Sequence, residues 1–311
     1  MSSIFSNVTA SAERITRLTW FMIILAAIVY VVVIALMLVA LRRNRRAPRD
    51  TVILSDPGPR WIVIGGLIMP AVVLGAVLVF SLWAMGRERV ERPGLTIDVT
   101  GHQWWWEATY RFADLPDQFR TANELHIPVN VPVRIALTTN DVIHSFWVPQ
   151  LQGKIDLIPG DTNEVRLVVR RPGTYGGICA EFCGAEHAKM GITVVAEDSA
   201  TFRDWARQQL AEGATPNDSL TAEGRQLFES GPCTLCHTVR GTSAIAQVAP
   251  DLTHVGSRQT IGAGALPNTL GNLEAWIANA QVIKPGALMP PITTFTGQQL
   301  RAIATYVASL K

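Results

Sequence analysis

Cys179-Ala-Glu-Phe-Cys-Gly-Ala-Glu-His-Ala-Lys-Met190 puts two thiols, an imidazole and a thioether within one short loop. That donor set suits copper, above all a site that cycles between Cu(I) and Cu(II). A mononuclear blue-copper site needs only one cysteine, so the second, Cys183, requires a reason of its own. Two thiolates bridging two copper ions would supply it. The alternative is a Cys179–Cys183 disulfide beside a core methionine. The remainder of the chain bears on the choice.

The 311 residues leave room for two compact domains and membrane segments. Hydrophobic residues are 48% of the chain and charged ones 17%, with much of the apolar content near the N-terminus. A net charge of +2 implies no basic surface for nucleic acid. The four cysteines, at 179, 183, 233 and 236, form two local pairs, each closely followed by a histidine, His187 or His237. A structural disulfide framework has no need of those histidines. Metal or haem chemistry on the oxidising side of a membrane fits better.

Leu18–Leu41 carries no charge. At ~1.5 Å per residue it reaches about 36 Å, enough to cross a hydrocarbon core of roughly 30 Å with some tilt. Trp61–Met85 is a second uncharged run; its Gly65, Gly66, Pro70 and Gly75 are tolerated in membrane helices. The first run is too long for the apolar region of a signal peptide, so two spans are expected. Between them Arg42, Arg43, Arg45, Arg46, Arg49 and Arg60 outnumber Asp50 and Asp56. The positive-inside rule puts that loop in the cytoplasm, both termini outside, and everything after about residue 87 outside as well.

From Leu95 to about Glu197 the pattern turns to short runs rich in Val, Ile, Leu and Thr: Leu95–Val99, His126–Val129, Val133–Thr138, Glu164–Val169 and Gly191–Val195. Turn signals such as Asn140-Asp141 and the Pro-Gly pairs at 159–160 and 172–173 separate them, which reads as a β-sandwich. His144 follows a strand, 35 residues before Cys179. A sandwich would bring a strand-end histidine beside the ligand loop, so His144 joins the candidate ligands. In Trp104-Trp-Trp106, alternation would send Trp104 and Trp106 to one face and Trp105 to the other.

With His144, the pattern Cys179-x-Glu181-x-Cys183-x-x-x-His187-x-x-Met190 resembles the dinuclear copper (CuA) signature of cytochrome c oxidase subunit II. The likeness takes in the two-helix anchor and Gly101-His-Gln-Trp-Trp-Trp106, covering roughly residues 15–200. It implies a cupredoxin-like sandwich in which Cys179 and Cys183 bridge two coppers and His144 and His187 each bind one. Met190 and the Glu181 carbonyl would be weaker ligands. The Glu181 side chain would serve a Mg²⁺ site shared with the catalytic subunit, and Trp104 would be where electrons come in. The family more usually has Tyr at position 105, and often an acidic residue at the cytoplasmic start of the second helix, where this chain has Ser55-Asp-Pro-Gly-Pro-Arg-Trp61; Asp56 is the candidate substitute.

Phe202, Trp205, Ala206 and Gln209-Leu210 recur at helical spacing within Ala200–Glu212, predicting an amphipathic helix that closes the sandwich. Gly213-Ala-Thr-Pro-Asn-Asp218 reads as a short flexible linker. Beyond it, Cys233-Thr-Leu-Cys-His237 is a haem c attachment motif, with thioether bonds from Cys233 and Cys236 and His237 as proximal ligand. No second Cys/His pair follows at zinc spacing. Met289, in Ala-Leu-Met-Pro-Pro291, is the favoured distal ligand over His254, since the two prolines fix an extended loop. Helices are expected at Ser219–Glu229 and Leu273–Ala280, and after a capping box at Thr296-Gly-Gln-Gln299, with Leu300, Ile303, Ala304, Val307 and Leu310 as the last helix's apolar stripe. This part resembles an all-α class I cytochrome c, and that resemblance has Gly224 letting the first and last helices cross near Tyr306.

The expected organisation is a transmembrane hairpin (1–92, spans 18–41 and 61–85), a cupredoxin-like copper domain (93–198), a helix and linker (199–219) and a cytochrome c domain (220–311). The whole resembles subunit II of a caa-type oxidase. That implies a bacterial-type inner (plasma) membrane with both redox domains on the periplasmic side. Its partners would be subunit I, subunit III, the lipid bilayer, and soluble cytochrome c or another outer donor. Oxygen would be reduced in subunit I. The small subunit of a copper-containing nitric oxide reductase and a stand-alone membrane electron carrier remain the alternatives.

Overall fold

The structure, a computed structural model, describes residues 7–44, 58–85, 93–112 and 118–311; Asp56 lies outside them. Residues 11–88 form one compact unit, and residues 1–10 with 89–311 another.

In the first unit, helix α1 (Ala10–Asn44) is longer than the predicted span, since polar turns before Leu18 stay helical around an Arg17–Glu13 pair. The second span is α2 (Gly58–Val63), a π turn (Ile64–Ile68) and α3 (Met69–Ala84). Pro70 lacks an N–H, and the wide turn just before it relieves the hydrogen bond an α-helix would require there. The two apolar stretches have mean hydropathies of 3.2 and 2.7 and bury none of their most apolar windows. Such side chains suit lipid, not a protein core. Phe21 stacks on Phe80 at 4.6 Å within the hairpin.

The copper-domain expectation of a sandwich holds. One sheet runs β3-β2-β1-β5-β8 and the other β4-β10-β9-β6-β7. Their strands are β1 (Leu95–His102), β2 (Trp105–Arg111), β3 (Gln118–Ala122), β4 (Glu124–Pro128), β5 (Val133–Thr139), β6 (His144–Trp147), β7 (Ile155–Leu157), β8 (Asn163–Leu167), β9 (Gly173–Cys179) and β10 (Gly191–Glu197). Alternate residues Leu95, Ile97 and Val99 of β1 and Ile192, Val194 and Ala196 of β10 point into the shared core with Trp106, Tyr110 and Phe146. Val8 joins this core, and Arg170 N donates to Val8 O at 2.9 Å, so the chain's start is strapped to the sandwich.

Helix α4 (Ser199–Leu210) is capped by Asp198, whose carboxylate accepts from Ala200 N and Thr201 N. It buries Phe202 and Ala206, and Trp205 stacks on His126 at 4.1 Å, closing one end of the sandwich as the periodicity predicts. The linker differs from expectation. Gly213 N bonds Arg240 O at 3.0 Å, and the His254 ring donates to Ala211 O at 3.1 Å. The segment lies against the last domain instead of swinging free.

That domain has α5 (Ser219–Ser230), a 3₁₀ turn (Pro232–Leu235), a two-residue ladder of β11 (Thr260–Ile261) and β12 (Leu266–Pro267), α6 (Leu270–Ile283) and α7 (Gly297–Ser309). Asp218 and Thr296 each form a reciprocal capping box, and Ile303, Ala304, Val307 and Leu310 are buried with Phe228 and Tyr306. Gly224 makes the α5/α7 crossing possible. A Cβ there would overlap the Ala302 carbonyl and come within 2.8 Å of Tyr306 Cβ. Gly224→Ala would gain about 1 kcal/mol in helix propensity. The clash is with backbone, however, and overpacking costs roughly 1–3 kcal/mol or more. Net destabilisation is the expected outcome, read as a lower midpoint in thermal unfolding of the purified protein.

Candidate metal and haem centres

The putting together of the copper loop begins with sheet register. β6 pairs β9 so that Phe146 opposes Cys179, and β9 pairs β10 so that Ile178 opposes Gly191. His144, Cys179 and Met190 therefore reach one end of the same sheet. Bonds from Cys179 N to Met190 O and from Ala180 N to Ser145 O, both 2.9 Å, close the neck of the loop. A 3₁₀ turn at His187–Lys189 folds the last part of the loop back.

The sulfurs of Cys179 and Cys183 stand 3.8 Å apart. A disulfide bond is ~2.05 Å, so the two thiols are unbonded and both face the same space. His144 Nδ1 is 3.8 Å from Cys179 Sγ, and His187 Nδ1 is 3.6 Å from Cys183 Sγ. Met190 Sδ is 3.8 Å from Cys183 Sγ, and the Glu181 carbonyl is 3.3 Å from Cys179 Sγ. All six positions singled out in the sequence converge. Among the described residues, His144, Cys179 and Cys183 also form a buried group with ligand atoms within 4.8 Å of one another. A soft, closed set of two sulfurs, two imidazoles, a thioether and a carbonyl fits copper.

Burial disfavours a thiolate at either cysteine. At Cys179 it is outweighed by hydrogen bonds from His144 and from the backbone at Glu181 and Ser145, which bring the thiol down to about 6. Cys183, buried and facing that thiolate, is pushed up to about 12. The pair therefore holds one negative charge readily and a second only beside a cation.

Several supporting residues escaped the sequence reading. Asp141 Oδ1 lies 2.8 Å from His144 Nε2 and turns the ring's Nδ1 toward Cys179. Such an outer carboxylate fixes a ligand's tautomer. Its only sequence signal is a carboxylate three residues before a ligand histidine, in a stretch that reads as a turn. Gly101 leaves the room His144 occupies, since a Cβ there would come within 2.8 Å of the ring. Gln103 Nε2 and Trp104 Nε1 both donate to Cys183 O, at 2.7 and 2.9 Å.

The tryptophan run is interrupted by a turn. β2 starts at Trp105, so Trp104 sits in the turn after β1 and reaches the copper loop, while Trp106 is fully buried in the core. Trp104 nevertheless packs at the edge of the core that Trp106 fills, as alternation expects, while its indole N–H reaches the copper loop. The Glu181 side chain points away from the sulfurs and pairs with Lys154 Nζ at 2.8 Å on an exposed face.

In the last domain, Cys233, Cys236 and His237 lie on one tight turn, with His237 N bonded to Cys233 O at 3.0 Å. The His237 Nδ1–H donates to Pro250 O at 2.8 Å, which leaves Nε2 for a metal. Burial lowers this imidazole's affinity for protons, so it stays neutral as a ligand must. Met289 is held by Gln281, whose Nε2 donates to the Met289 carbonyl at 2.9 Å. Ile245 and Val248, between His237 and Pro250, and Val282 and Leu288, beside Met289, are strongly exposed apolar side chains. An apolar macrocycle is what they would cover, so the residues fit haem c. His254 Nε2 is instead occupied by Ala211 O.

Residues 115–197 match the family model for cytochrome c oxidase subunit II, periplasmic domain, and residues 221–311 the one for cytochrome c. With the two apolar helices, this defines a membrane-anchored electron-transfer protein with a copper domain and a haem c domain. Cytochrome c oxidase subunit 2 of Alkalihalophilus pseudofirmus is 36% identical over 297 residues, 93% of this chain and 85% of that one. The same subunit from Bacillus sp. (strain PS3) is 30% identical over 267 residues, 81% and 73% of the two chains. Among solved structures, the periplasmic domain of subunit II of cytochrome oxidase of Bradyrhizobium japonicum is 33% identical. It covers 39% of this chain and 99% of that one, at a TM-score of 0.36. The chain belongs to the cytochrome c oxidase subunit 2 family and is part of an oxidoreductase complex.

Proposed function

We propose that the chain carries electrons from an outer cytochrome donor, by way of haem c, to a dinuclear copper centre and on to a catalytic subunit that reduces oxygen to water. Copper and haem c would each supply one-electron redox chemistry without binding substrate. The observation that carries the dinuclear reading is the paired geometry of the loop. Two sulfurs 3.8 Å apart each face a different histidine nitrogen, Cys179 with His144 and Cys183 with His187. A blue-copper site would use both histidines, one cysteine and the methionine, and would leave Cys183 unexplained.

The residues' tasks follow from their contacts. Asp141 and the sheet hold His144, and the 3₁₀ turn holds His187, so the donors need to move little between oxidation states. Trp104 contacts the copper loop directly, its indole N–H donating to the Cys183 carbonyl. Cys233 and Cys236 would anchor the haem, and His237 and Met289 would hold its iron for one-electron chemistry. Glu181, beside Lys154 on an exposed face, is the residue offered toward a partner and a Mg²⁺ site.

The partner subunits proposed are I and III. The strapping of Val8 to the sandwich supports residue 8 and the sandwich lying on one side of the membrane, and the arginines between the spans support that side being the periplasmic one.

The test is metal, haem and gas-uptake analysis of the protein purified with its partner subunits. Two coppers and one covalent haem per chain, with oxygen consumption, are expected. One copper per chain would overturn the dinuclear centre, and NO consumption without oxygen uptake would overturn the oxidase assignment.

A further inference from the structure

Lys284, at the C-terminal end of α6, is a lysine only 3% exposed. Its ammonium donates to Trp104 O at 2.6 Å, Lys189 O at 2.8 Å and Gly262 O at 3.2 Å. An ammonium has three protons, and here each has a carbonyl. Two of the acceptors belong to the copper domain, Trp104 beside the loop and Lys189 within it; the third belongs to the haem domain. Lys189 returns the contact, its Nζ donating to Ile283 O at 2.8 Å, next to Lys284 in the chain. Gly191 N adds a bond to Ala263 O at 2.9 Å.

Burying a cation without a carboxylate partner is costly unless its donors are satisfied. Desolvation accordingly pulls Lys284 down to about 8. A residue meant only to fill this space would be apolar. What the ammonium does that a methionine could not is join three backbone segments from two domains at one point.

The segment it pins covers Trp104. A Cβ at Gly286 would lie 3.5 Å from Cη2 and Cζ3 of the Trp104 ring and 4.0 Å from Ala185 Cβ, so the backbone there runs along the indole edge. Its φ of +93° also favours glycine. Gln281 makes residues 281–289 one knot, accepting from Gly286 N at 2.9 Å and donating to Met289 O at 2.9 Å. A short run of bonds and contacts therefore leads from the Met289 segment to Gly286, across to Trp104, and through its indole N–H to the Cys183 carbonyl.

We propose that Lys284, with Lys189 in return, is a clasp that holds the haem domain on the Trp104 face of the copper loop, making Lys284 a positioning residue for transfer from haem to copper. The clasp also closes the Trp104 face to outside donors, so external electrons reach copper only by way of the haem domain. This rests on the two-centre reading above.

The experiment uses the full oxidase complex carrying Lys284→Met, with reduction of haem and of copper followed separately after rapid mixing with a reduced cytochrome donor. Haem reduction and both centres' spectra should match wild type, while haem-to-copper transfer slows about tenfold or more, as the docked population falls with loss of the ammonium's bonds. The slowed step should also become viscosity-dependent, which a local packing defect would not produce. Wild-type transfer with both centres intact would overturn the clasp. If Lys284→Met does not assemble, Lys189→Met decides: slower transfer supports the clasp and an unchanged rate overturns it. Wild-type complex lacking either centre would instead refute the two-centre reading itself.

Discussion

Cys183→Ser is expected to abolish the mixed-valence copper signal while leaving the haem c spectrum in place. Cys183 Sγ is the hub of the loop, 3.8 Å from Cys179 Sγ, 3.6 Å from His187 Nδ1 and 3.8 Å from Met190 Sδ. Serine keeps the shape but replaces a soft donor with a hard one that does not ionise near neutral pH, so the pair would no longer hold two copper ions. The haem ligands proposed belong to the last domain, whose hydrophobic core is separate from that of the sandwich, and should be untouched. Electron paramagnetic resonance and visible absorption of the purified variant decide the matter. An unchanged copper spectrum would sink the dinuclear assignment. Turnover with a cytochrome donor should fall to near zero, because no other donor cluster of this kind is found among the described residues.

Met289→Ala is expected to open the haem iron to added ligands and to lower its potential. Thioether ligation favours the reduced state, and axial ligation spans roughly 0.8 V across haem proteins, so a fall on the order of 0.1 V is a modest expectation. Redox titration and carbon monoxide binding to the reduced protein measure the two effects. His254→Ala should do neither, because that ring already bonds Ala211 O and helps to hold the linker. If His254→Ala opened the haem and Met289→Ala did not, the distal assignment would be reversed.

What was legible in advance were features that local chemistry writes into adjacent residues. The Cys-x-x-Cys-His turn, the spacing from Cys179 to Met190, the capping box at Thr296 and the uncharged spans each place their meaning within a few turns of chain. Longer β runs such as Val133–Thr138 were also readable, because a cluster of β-branched and aliphatic residues bounded by turn signals is hard to mistake. Several strands outside those runs are short or rich in glycine. His144–Trp147 and Ile155–Leu157 are four and three residues long, and Gly173–Cys179 contains three glycines. Such strands are made by their neighbours in the sheet, not by propensity.

The supporting residues were hidden for the same reason. Asp141 looks like a turn aspartate until β6 brings His144 against Cys179, and Gly101 is an ordinary strand glycine until the His144 ring fills its place. Lys284 has no local signal at all, since its three acceptors come from positions 104, 189 and 262.

For this protein the sequence by itself determined the candidate donor atoms, the two long apolar helices and the order of the domains, because ligand chemistry and hydropathy act over short stretches of chain. Only the tertiary structure decided that the two thiols are unbonded, that Trp104 leaves the strand to meet the copper loop, and that the haem domain is held over it by a buried lysine. Those outcomes depend on long-range backbone contacts, and no local pattern encodes which carbonyls will meet a given ammonium.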